Sequence, residues 1–129
     1  MTGGMIIREA HFPGRAPIDA YGNGGFRFAG MSHRGSILCL PSGIHGWEPA
    51  DPENLGEEDF ARVIAEAAEV EVLLVGMGRD LRRLPAALRQ ALRDAGLSSD
   101  PMSTGSAVRT YNVLLAEDRA VAAALVAVE

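Results

Sequence analysis

The chain of 129 residues has the usual length of one domain, and we expect residues 1–129 to fold as a single unit. Apolar residues make up 47% and charged residues 22%, which is typical of a globular protein. All twelve positive side chains are arginine, so Schiff-base chemistry, a lysine general base and a P-loop are excluded. The formal net charge of −5 argues against a general nucleic-acid binder.

Cys39 is the only cysteine, which excludes an internal disulfide and fits a reducing compartment. The apolar run Met5–Ile7 is too short for the core of a signal peptide. The longest apolar run, Ala120–Val128, is far below the roughly 20 residues that span a bilayer. We therefore predict a cytoplasmic protein without a transmembrane segment.

The first third of the chain predicts short strands and turns. Asn23-Gly24 is a strong turn signal, and strands near Met5–Ile7 and Phe26–Phe28 predict a small antiparallel element around it. The apolar run Ser36–Leu40 predicts a buried strand. Residues Ser42–Asn54, which contain a tryptophan and two prolines, are interpreted as a loop.

The middle of the chain alternates between helix and strand patterns. Apolar residues recur at helical spacing over about Gly56–Glu69, which predicts the first helix. The short apolar run Val72–Val75 predicts a strand with both faces covered. A second helix is predicted over about Pro85–Ala95, because proline suits the first turn and Gly96 suits the end.

The last third predicts one extended segment and one helix. Ser98–Ser103 is interpreted as extended, and Ser103 or Thr104 as the N-cap of a third helix. Ala120–Val128 is open to two interpretations, since its alanines favour a helix while its length suits a final buried strand. The succession of elements favours a mixed or parallel sheet between helix layers.

The turn Gly76-Met77-Gly78-Arg79 is the first candidate ligand site, because ligands collect beyond the carboxyl ends of strands in α/β sheets. The third glycine of a dinucleotide fingerprint is missing, since that position is Leu81. Ser103 and Thr104 could present hydroxyls and N–H groups to an anion, or serve only as caps. Asn112 could line the same pocket or bond to a neighbouring loop. Together these are six candidate ligand-binding residues: Gly76, Gly78, Arg79, Ser103, Thr104 and Asn112.

Five arginines lie within fifteen residues of one another: Arg79, Arg82, Arg83, Arg89 and Arg93. Guanidinium groups suit carboxylates and phosphates, so this cluster predicts an anion site or a docking patch for an acidic partner. The alternative is an ordinary solvated helix face.

The remaining reactive residues carry no recognisable motif. The three histidines and Cys39 lack metal-ligand spacing, and the acidic stretch between Glu48 and Asp59 lacks a calcium-loop pattern. No nucleophile elbow is present. We assign no catalytic residue, metal or cofactor, and the sequence does not require an enzyme.

Four stretches in order resemble the family of small uncharacterised α/β domains that includes the mitochondrial complex I assembly factor 3 and the adipogenesis-associated domain protein. Its most specific part is the run Thr104, Ala107, Arg109, Thr110, Tyr111 and Asn112. The other stretches are Leu38–Pro41 with Trp47, Val72–Gly78, and Arg119 with Val121–Leu125. The resemblance covers nearly the whole chain from about residue 5.

The resemblance implies a three-layer α/β fold with a central mixed sheet, flanking helices and a small extra N-terminal β element. It also implies that Ala120–Val128 is a strand. The family commonly has threonine where this chain has Met77, which weakens a side-chain ligand contact there. It implies a non-enzymatic interaction or assembly factor, by analogy for a respiratory complex subunit. The alternative is a domain that binds a small anionic metabolite.

Overall fold

The computed structural model describes residues 12–129. Its strands are β1 Phe12–Pro13, β2 Ile18–Gly22, β3 Gly25–Phe28, β4 Met31–Arg34, β5 Ser36–Leu40, β6 Gly43–Trp47, β7 Val72–Gly76, β8 Ser98–Met102 and β9 Val121–Leu125. Its α-helices are α1 Ala61–Ala65, α2 Ala86–Asp94 and α3 Thr104–Ala116. Six strands form a central sheet in the order β1-β6-β5-β9-β7-β8, and β2-β3-β4 form a second sheet.

The central sheet is mixed. Strand β7 is parallel to both of its neighbours, so that Val75 faces Pro101 of β8 and Ala124 of β9. Strand β5 is antiparallel to β6 and to β9. Parallel neighbours need crossover connections, which α2 and α3 supply. The predicted mixed sheet is therefore confirmed.

Each face of the central sheet carries its own apolar cluster. Leu38 and Leu40 of β5 pack on one face with side chains of α1 and α2. Ile37 and Cys39 pack on the other face with α3 and the small sheet. Successive side chains of a strand point to opposite faces, so one short apolar run serves both clusters. The result is the predicted three-layer α/β arrangement.

The small sheet is built on tight hairpins. Asn23 and Gly24 connect β2 to β3 with φ angles of 52° and 79°, as the predicted turn requires. The predicted strand Phe26–Phe28 lies within β3. In the structure β3 pairs with β2 and β4, and the predicted strand Met5–Ile7 lies outside the described residues.

The predicted loop Ser42–Asn54 is wrong in its first half. Residues Gly43–Trp47 form β6, which pairs with β5 through a two-residue turn at Pro41 and Ser42. Strand β6 also pairs with β1, so it is an interior strand. Its two glycines and a histidine hide the apolar alternation that a strand normally shows.

The predicted continuous helix over Gly56–Glu69 is also wrong. It is divided into a 3-10 segment Glu57–Phe60, helix α1, and a 3-10 segment Ala67–Glu69. Glu66 interrupts the helix with φ −106° and ψ 13°. Its carboxylate accepts hydrogen bonds from the N–H and hydroxyl of Ser42, which ties this break to the β5–β6 turn.

The other predicted elements are confirmed. Helix α2 falls within the predicted Pro85–Ala95, and α3 has Ser103 as its N-cap. Strand β9 settles the C-terminal ambiguity in favour of the strand that the resemblance implied. Its alanines lie between β5 and β7, with Ala123 on the α3 face and Ala122 and Ala124 on the opposite face, so tertiary pairing overrides their helix propensity.

Candidate functional site

The glycine turn after β7 meets the start of α3. The N–H of Met77 donates to the carbonyl of Met102 over 2.8 Å, and the N–H of Thr104 donates to the carbonyl of Gly78 over 2.8 Å. These bonds extend the β7–β8 pairing into the turn. The structure therefore brings together four of the six candidate residues: Gly76, Gly78, Ser103 and Thr104.

Thr104 is the centre of this convergence and has no exposed surface. Its hydroxyl accepts from the N–H of Gly78 at 3.0 Å and donates to the carbonyl of Val126 at 2.7 Å. A hydroxyl has one proton to donate, and here the carbonyl of Val126 takes it. Thr104 links the turn, α3 and the end of β9.

The two glycines have steric and conformational reasons to be glycine. A Cβ on Gly76 would lie 3.0 Å from the Cα of Thr104 and 3.0 Å from a methyl group of Leu125. Gly78 has a φ of 95°, in the region that favours glycine. Gly76 therefore lets the start of α3 approach the sheet closely, and Gly78 allows the backbone to turn after β7.

Ser103 and Asn112 are also engaged within the protein. The Ser103 hydroxyl oxygen accepts from the N–H of Ser106 at 3.2 Å, and the hydroxyl lies 3.1 Å from that of Ser106. The Asn112 side chain accepts from the N–H of Ile18 and donates to its carbonyl, both at 2.9 Å. Of the two alternatives left open for Asn112, the structure supports bonding to a neighbouring segment, because it fastens β2 to α3.

Arg79 follows the turn directly and is exposed. Within residues 12–129 it forms no ion pair, whereas Arg82 pairs with Glu53 at 3.0 Å. None of the six candidate residues lines any of the three cavities described below. Their ligand-binding role stays a prediction, and the polar atoms of three of them are already used by the fold.

A groove beside strand β8 collects three of the five clustered arginines. Arg83 from the loop before α2 and Arg89 and Arg93 from α2 line a cavity of about 290 Å³. The rest of its wall is formed by Leu84, Leu97, Ser98, Ser99 and Pro101. We call this feature the arginine groove. It lies at the edge of the central sheet, because β8 is the last strand.

The three arginines of the groove are exposed and form no ion pair with any residue of the described part of the chain. Arg89 and Arg93 are four residues apart on one helix, so their like charges face each other. Like charges at this spacing destabilise a helix by a few tenths of a kcal/mol. The sequence predicted the cluster; the structure separates Arg79 and Arg82 from it and adds Ser98 and Ser99, which no sequence signal identified.

A second, wider cavity of about 980 Å³ lies between the small sheet and β6. Its lining mixes charges of both signs, since Arg34 and Arg62 are accompanied by Glu48 and Glu129. A third cavity of about 230 Å³ lies on the small sheet and is lined by Tyr21, Phe26 and Arg27, among others. The charged residues of the third cavity, Arg27 and Arg34, are also of one sign, but the arginine groove carries three such groups.

Ser42, His45 and Glu66 form a hydrogen-bonded chain at the β5–β6 turn. The Ser42 hydroxyl donates to Glu66 at 2.6 Å and lies 2.8 Å from Nε2 of His45. Because the serine proton goes to the carboxylate, the histidine nitrogen donates to the serine oxygen. A serine nucleophile needs the opposite arrangement, in which histidine accepts the serine proton. We interpret this trio as structural.

Cys39 and Tyr111 are buried side by side on the α3 face of the sheet. Burial raises the pKa of the Cys39 thiol to about 12, while its hydrogen bond with Tyr111 acts in the opposite direction. Burial also raises the pKa of Tyr111, with a further contribution from Cys39. This environment makes the thiol unreactive, since the thiolate is the reactive form.

Among residues 12–129, no three histidine, cysteine or acidic side chains are grouped closely enough to hold a metal ion. In the same part of the chain, no helix combines the length and apolar character that crossing a bilayer requires.

These features define a three-layer α/β protein with an arginine-lined surface groove and a glycine turn that is hydrogen-bonded to the start of α3. The chain belongs to the family described as protein of unknown function (DUF498/DUF598), whose model matches residues 18–126. An uncharacterized protein of Rhodobacter capsulatus is 46% identical over 121 residues, which cover 94% of this chain and 92% of that protein.

A eukaryotic relative confirms the resemblance found in the sequence. NADH dehydrogenase (ubiquinone) 1 alpha subcomplex assembly factor 3 of Mus musculus is 30% identical over 122 residues, 95% of this chain. The match spans 66% of the length of that assembly factor.

A solved structure is also similar to this chain. It is a crystal structure described as an outer membrane protein from Bartonella henselae, with a TM-score of 0.89 and 66% sequence identity. The match covers 92% of this chain and 100% of that chain.

Proposed function

We propose that this protein is a non-enzymatic interaction factor that binds another protein through the arginine groove. The observation that carries the proposal is the gathering of Arg83, Arg89 and Arg93 around one cavity without an acidic partner among the described residues. The chain as a whole is acidic, with a formal net charge of −5. A positive groove on an acidic protein favours a partner of opposite charge at that place.

Arginine is well suited to this role. Its guanidinium group is always charged, forms paired hydrogen bonds with carboxylates, and is enriched at the energetically important positions of protein interfaces. The exposed ion pair Arg82–Glu53 shows how such a group behaves when an internal carboxylate is available. Within residues 12–129 the groove arginines have no such carboxylate, which supports an external one.

The relatives suggest a more specific version of this proposal. The mouse relative is described as an assembly factor of NADH dehydrogenase. By analogy, we propose that this chain assists the assembly of a respiratory complex by binding one of its subunits. Because the chain spans only part of that relative, the analogy covers the shared α/β region and not the rest of the assembly factor.

The proposal includes two further points. The protein acts in the cytoplasm, where its single cysteine remains reduced. Residues 1–129 act as one domain, since both apolar clusters are built on the same central sheet.

The test is comparative capture from native extract with tagged wild-type protein and two triple variants. Arg83→Gln, Arg89→Gln and Arg93→Gln together remove the charge of the groove. Arg27→Gln, Arg34→Gln and Arg62→Gln remove the same charge from exposed positions elsewhere. We expect a protein that is enriched by the wild type and the control variant and lost with the groove variant. Equal enrichment by all three proteins, or none above an unrelated protein, would contradict the proposal.

The alternative function, a domain for an anionic metabolite at the six predicted residues, has weaker support. An anion there would compete with the existing hydrogen bonds of Ser103, Thr104 and Asn112. Breaking the buried bond of Thr104 costs about 1–3 kcal/mol for each group left unpaired. Arg79 alone among the six has a free charged group, and a single exposed arginine binds an anion weakly.

A further inference from the structure

We infer that the arginine groove and the neighbouring Leu81 together bind an extended acidic peptide segment that carries one apolar residue. The inference rests on the proposed function and specifies the chemistry of its partner. It combines two separate observations, namely an unpaired group of arginines and a large apolar side chain that is left in solvent beside them.

Leu81 is 71% exposed, which makes it the most exposed of the large apolar side chains in the described part of the chain. It lies in the segment between Gly78 and α2, two positions before Arg83. Two residues of extended chain span at most about 7 Å, so the backbone of Leu81 lies within that distance of the backbone of Arg83, which lines the groove. A partner that reaches the arginines can therefore cover Leu81 as well.

The segment that presents Leu81 is held before and after it. The N–H of Gly78 donates to the buried hydroxyl of Thr104 at 3.0 Å, and Leu84 is buried in the core while also lining the groove. Leu81 therefore lies between two anchored positions. Displaying an apolar group in this way lowers the ordering cost of binding compared with a loose loop.

The spacing of the arginines fits carboxylates on an extended chain. Side chains four residues apart on a helix, such as Arg89 and Arg93, have Cβ atoms about 5–6 Å apart. Alternate side chains of an extended peptide point to the same side at a spacing of about 7 Å. Acidic residues at alternate positions can therefore each meet one arginine.

The partner is held by side chains more than by strand pairing. Pro101 lies in the edge strand β8 and has no N–H to offer a neighbouring strand. Asp100 is exposed on the same strand and would repel a carboxylate placed directly against it. Both features direct an acidic segment away from the edge of β8 and towards the α2 side of the groove.

The concave shape of the arginine groove and the apolar side chain of Leu81 favour a peptide over other anionic ligands. A flat lipid surface cannot enter a cavity of about 290 Å³ that lies between α2 and β8. A free inorganic anion could contact the arginines but would leave Leu81 in solvent. A peptide with both acidic and apolar residues uses both parts of the surface.

The experiment measures the fluorescence anisotropy of a labelled peptide that alternates glutamate and serine and has one leucine at its end. One matched peptide carries glutamine in place of glutamate, and another carries serine in place of the leucine. The proteins are the wild type, the groove triple variant, the Arg27, Arg34 and Arg62 control variant, and Leu81→Ser. Circular dichroism verifies that each variant is folded.

We expect the groove triple variant to weaken binding of the glutamate peptide by about tenfold, since three exposed ion pairs are lost. The control variant should bind within about twofold of the wild type. Leu81→Ser should weaken the leucine peptide by about fivefold and leave the serine peptide unchanged, because only the former loses an apolar contact. Physiological salt should weaken binding, since the contacts are exposed to solvent.

Several outcomes would overturn the inference. These are equal binding of the glutamate and glutamine peptides, equal loss in the groove and control variants, or displacement of the peptide by millimolar inorganic phosphate. Groove-dependent binding to vesicles of anionic phospholipid without peptide binding would assign the surface to a membrane instead. If capture from extract depends on the groove but no acidic peptide binds, the proposed function stands and this inference fails. If the peptide binds and capture is independent of the groove, the proposed function fails.

Discussion

The hydroxyl of Thr104 donates a hydrogen bond to the main-chain carbonyl of Val126 at 2.7 Å, in a position without solvent exposure. The two residues are 22 positions apart in the sequence and join the start of α3 to the end of β9. The same oxygen accepts from the N–H of Gly78. Thr104 was a candidate ligand-binding residue in the sequence, and in the structure its hydroxyl forms hydrogen bonds that hold the fold together.

Replacement of this hydroxyl should lower stability. Thr104→Val keeps the shape but leaves the N–H of Gly78 and the carbonyl of Val126 unpaired in the interior. We expect the free energy of unfolding to fall by about 2–5 kcal/mol, since each unpaired buried group costs about 1–3 kcal/mol. Urea unfolding measures this change. Thr104→Ser retains the hydroxyl and should lose only about 1 kcal/mol for its missing methyl group; equal losses in both variants would contradict the role of the hydrogen bonds.

The attachment of the small sheet to α3 should depend on Asn112. Asn112→Ala removes both hydrogen bonds to Ile18, and we expect a loss of about 1–3 kcal/mol. Hydrogen exchange should accelerate in β2 more than in β7, because only β2 loses its attachment. The matched control is Val113→Ala, a neighbouring exposed position that should change stability by less than about 0.5 kcal/mol. Equal acceleration of hydrogen exchange in β2 and β7 would contradict a local role of the Asn112 hydrogen bonds.

Much of the fold could be predicted from local patterns. The run Val72–Val75 is short and wholly apolar, as a strand covered on both faces must be, and α2 has its boundaries marked by Pro85 and Gly96. Strand β9 could not be decided from its own residues. Its alanines favour a helix, and its identity depends on pairing with β5 and β7, which are distant in sequence.

In the candidate site, too, features that depend on neighbouring residues could be predicted, and features that depend on residues distant in sequence could not. The meeting of the Gly76–Gly78 turn with Ser103 and Thr104 could be predicted from strand ends and capping residues. The use of the Thr104 hydroxyl could not, because its acceptor, the carbonyl of Val126, lies 22 positions later, beyond α3 and β9. The arginine cluster was evident from the order of residues. The ion pair that Arg82 forms, and Arg83 does not, could not be predicted, because its partner Glu53 lies about thirty positions earlier.

The stability of the protein should decrease in alkaline solution partly because of Cys39. Burial raises the pKa of this thiol from 9.0 to about 12, so the folded state stays protonated where the unfolded chain ionises. The unfolded state then binds fewer protons, and the stabilisation that is complete below about pH 9 is lost as the pH rises towards 12. Between about pH 8 and pH 10 we expect a loss of about 1.4 kcal/mol from this group.

Urea unfolding of the wild type and of Cys39→Ala at both pH values isolates this effect. The variant starts from a lower stability because a buried sulfur is removed, so the comparison concerns the change with pH. Tyr111 contributes in the same direction above its ordinary value of 10.0 and remains in both proteins. An identical pH dependence in both proteins would show that the thiol does not titrate on unfolding.

The two apolar clusters should unfold together. Both use side chains from β5, β7 and β9, so neither cluster can persist when the central sheet separates. Trp47 lies in the cluster beneath α1 and α2, and Tyr111 in the cluster beneath α3. We expect tryptophan fluorescence, far-ultraviolet circular dichroism and near-ultraviolet tyrosine signals to give one coincident transition in denaturant. Separated midpoints would indicate two units and contradict the single-domain proposal.

The anionic-metabolite alternative can be tested at Arg79, the one predicted site residue with an exposed charged group outside any ion pair in residues 12–129. A ligand at 100 times its dissociation constant would add about 2.7 kcal/mol of stability, which a thermal-shift panel of anionic metabolites detects easily. We expect no compound to produce a shift that Arg79→Gln abolishes, because the neighbouring hydroxyl and amide groups are already bonded within the fold. Arg27→Gln serves as the control for charge alone. A compound whose shift disappears with Arg79→Gln and persists with Arg27→Gln would place a ligand at the glycine turn after all, and the hydrogen bonds of Thr104 would then have to rearrange on binding.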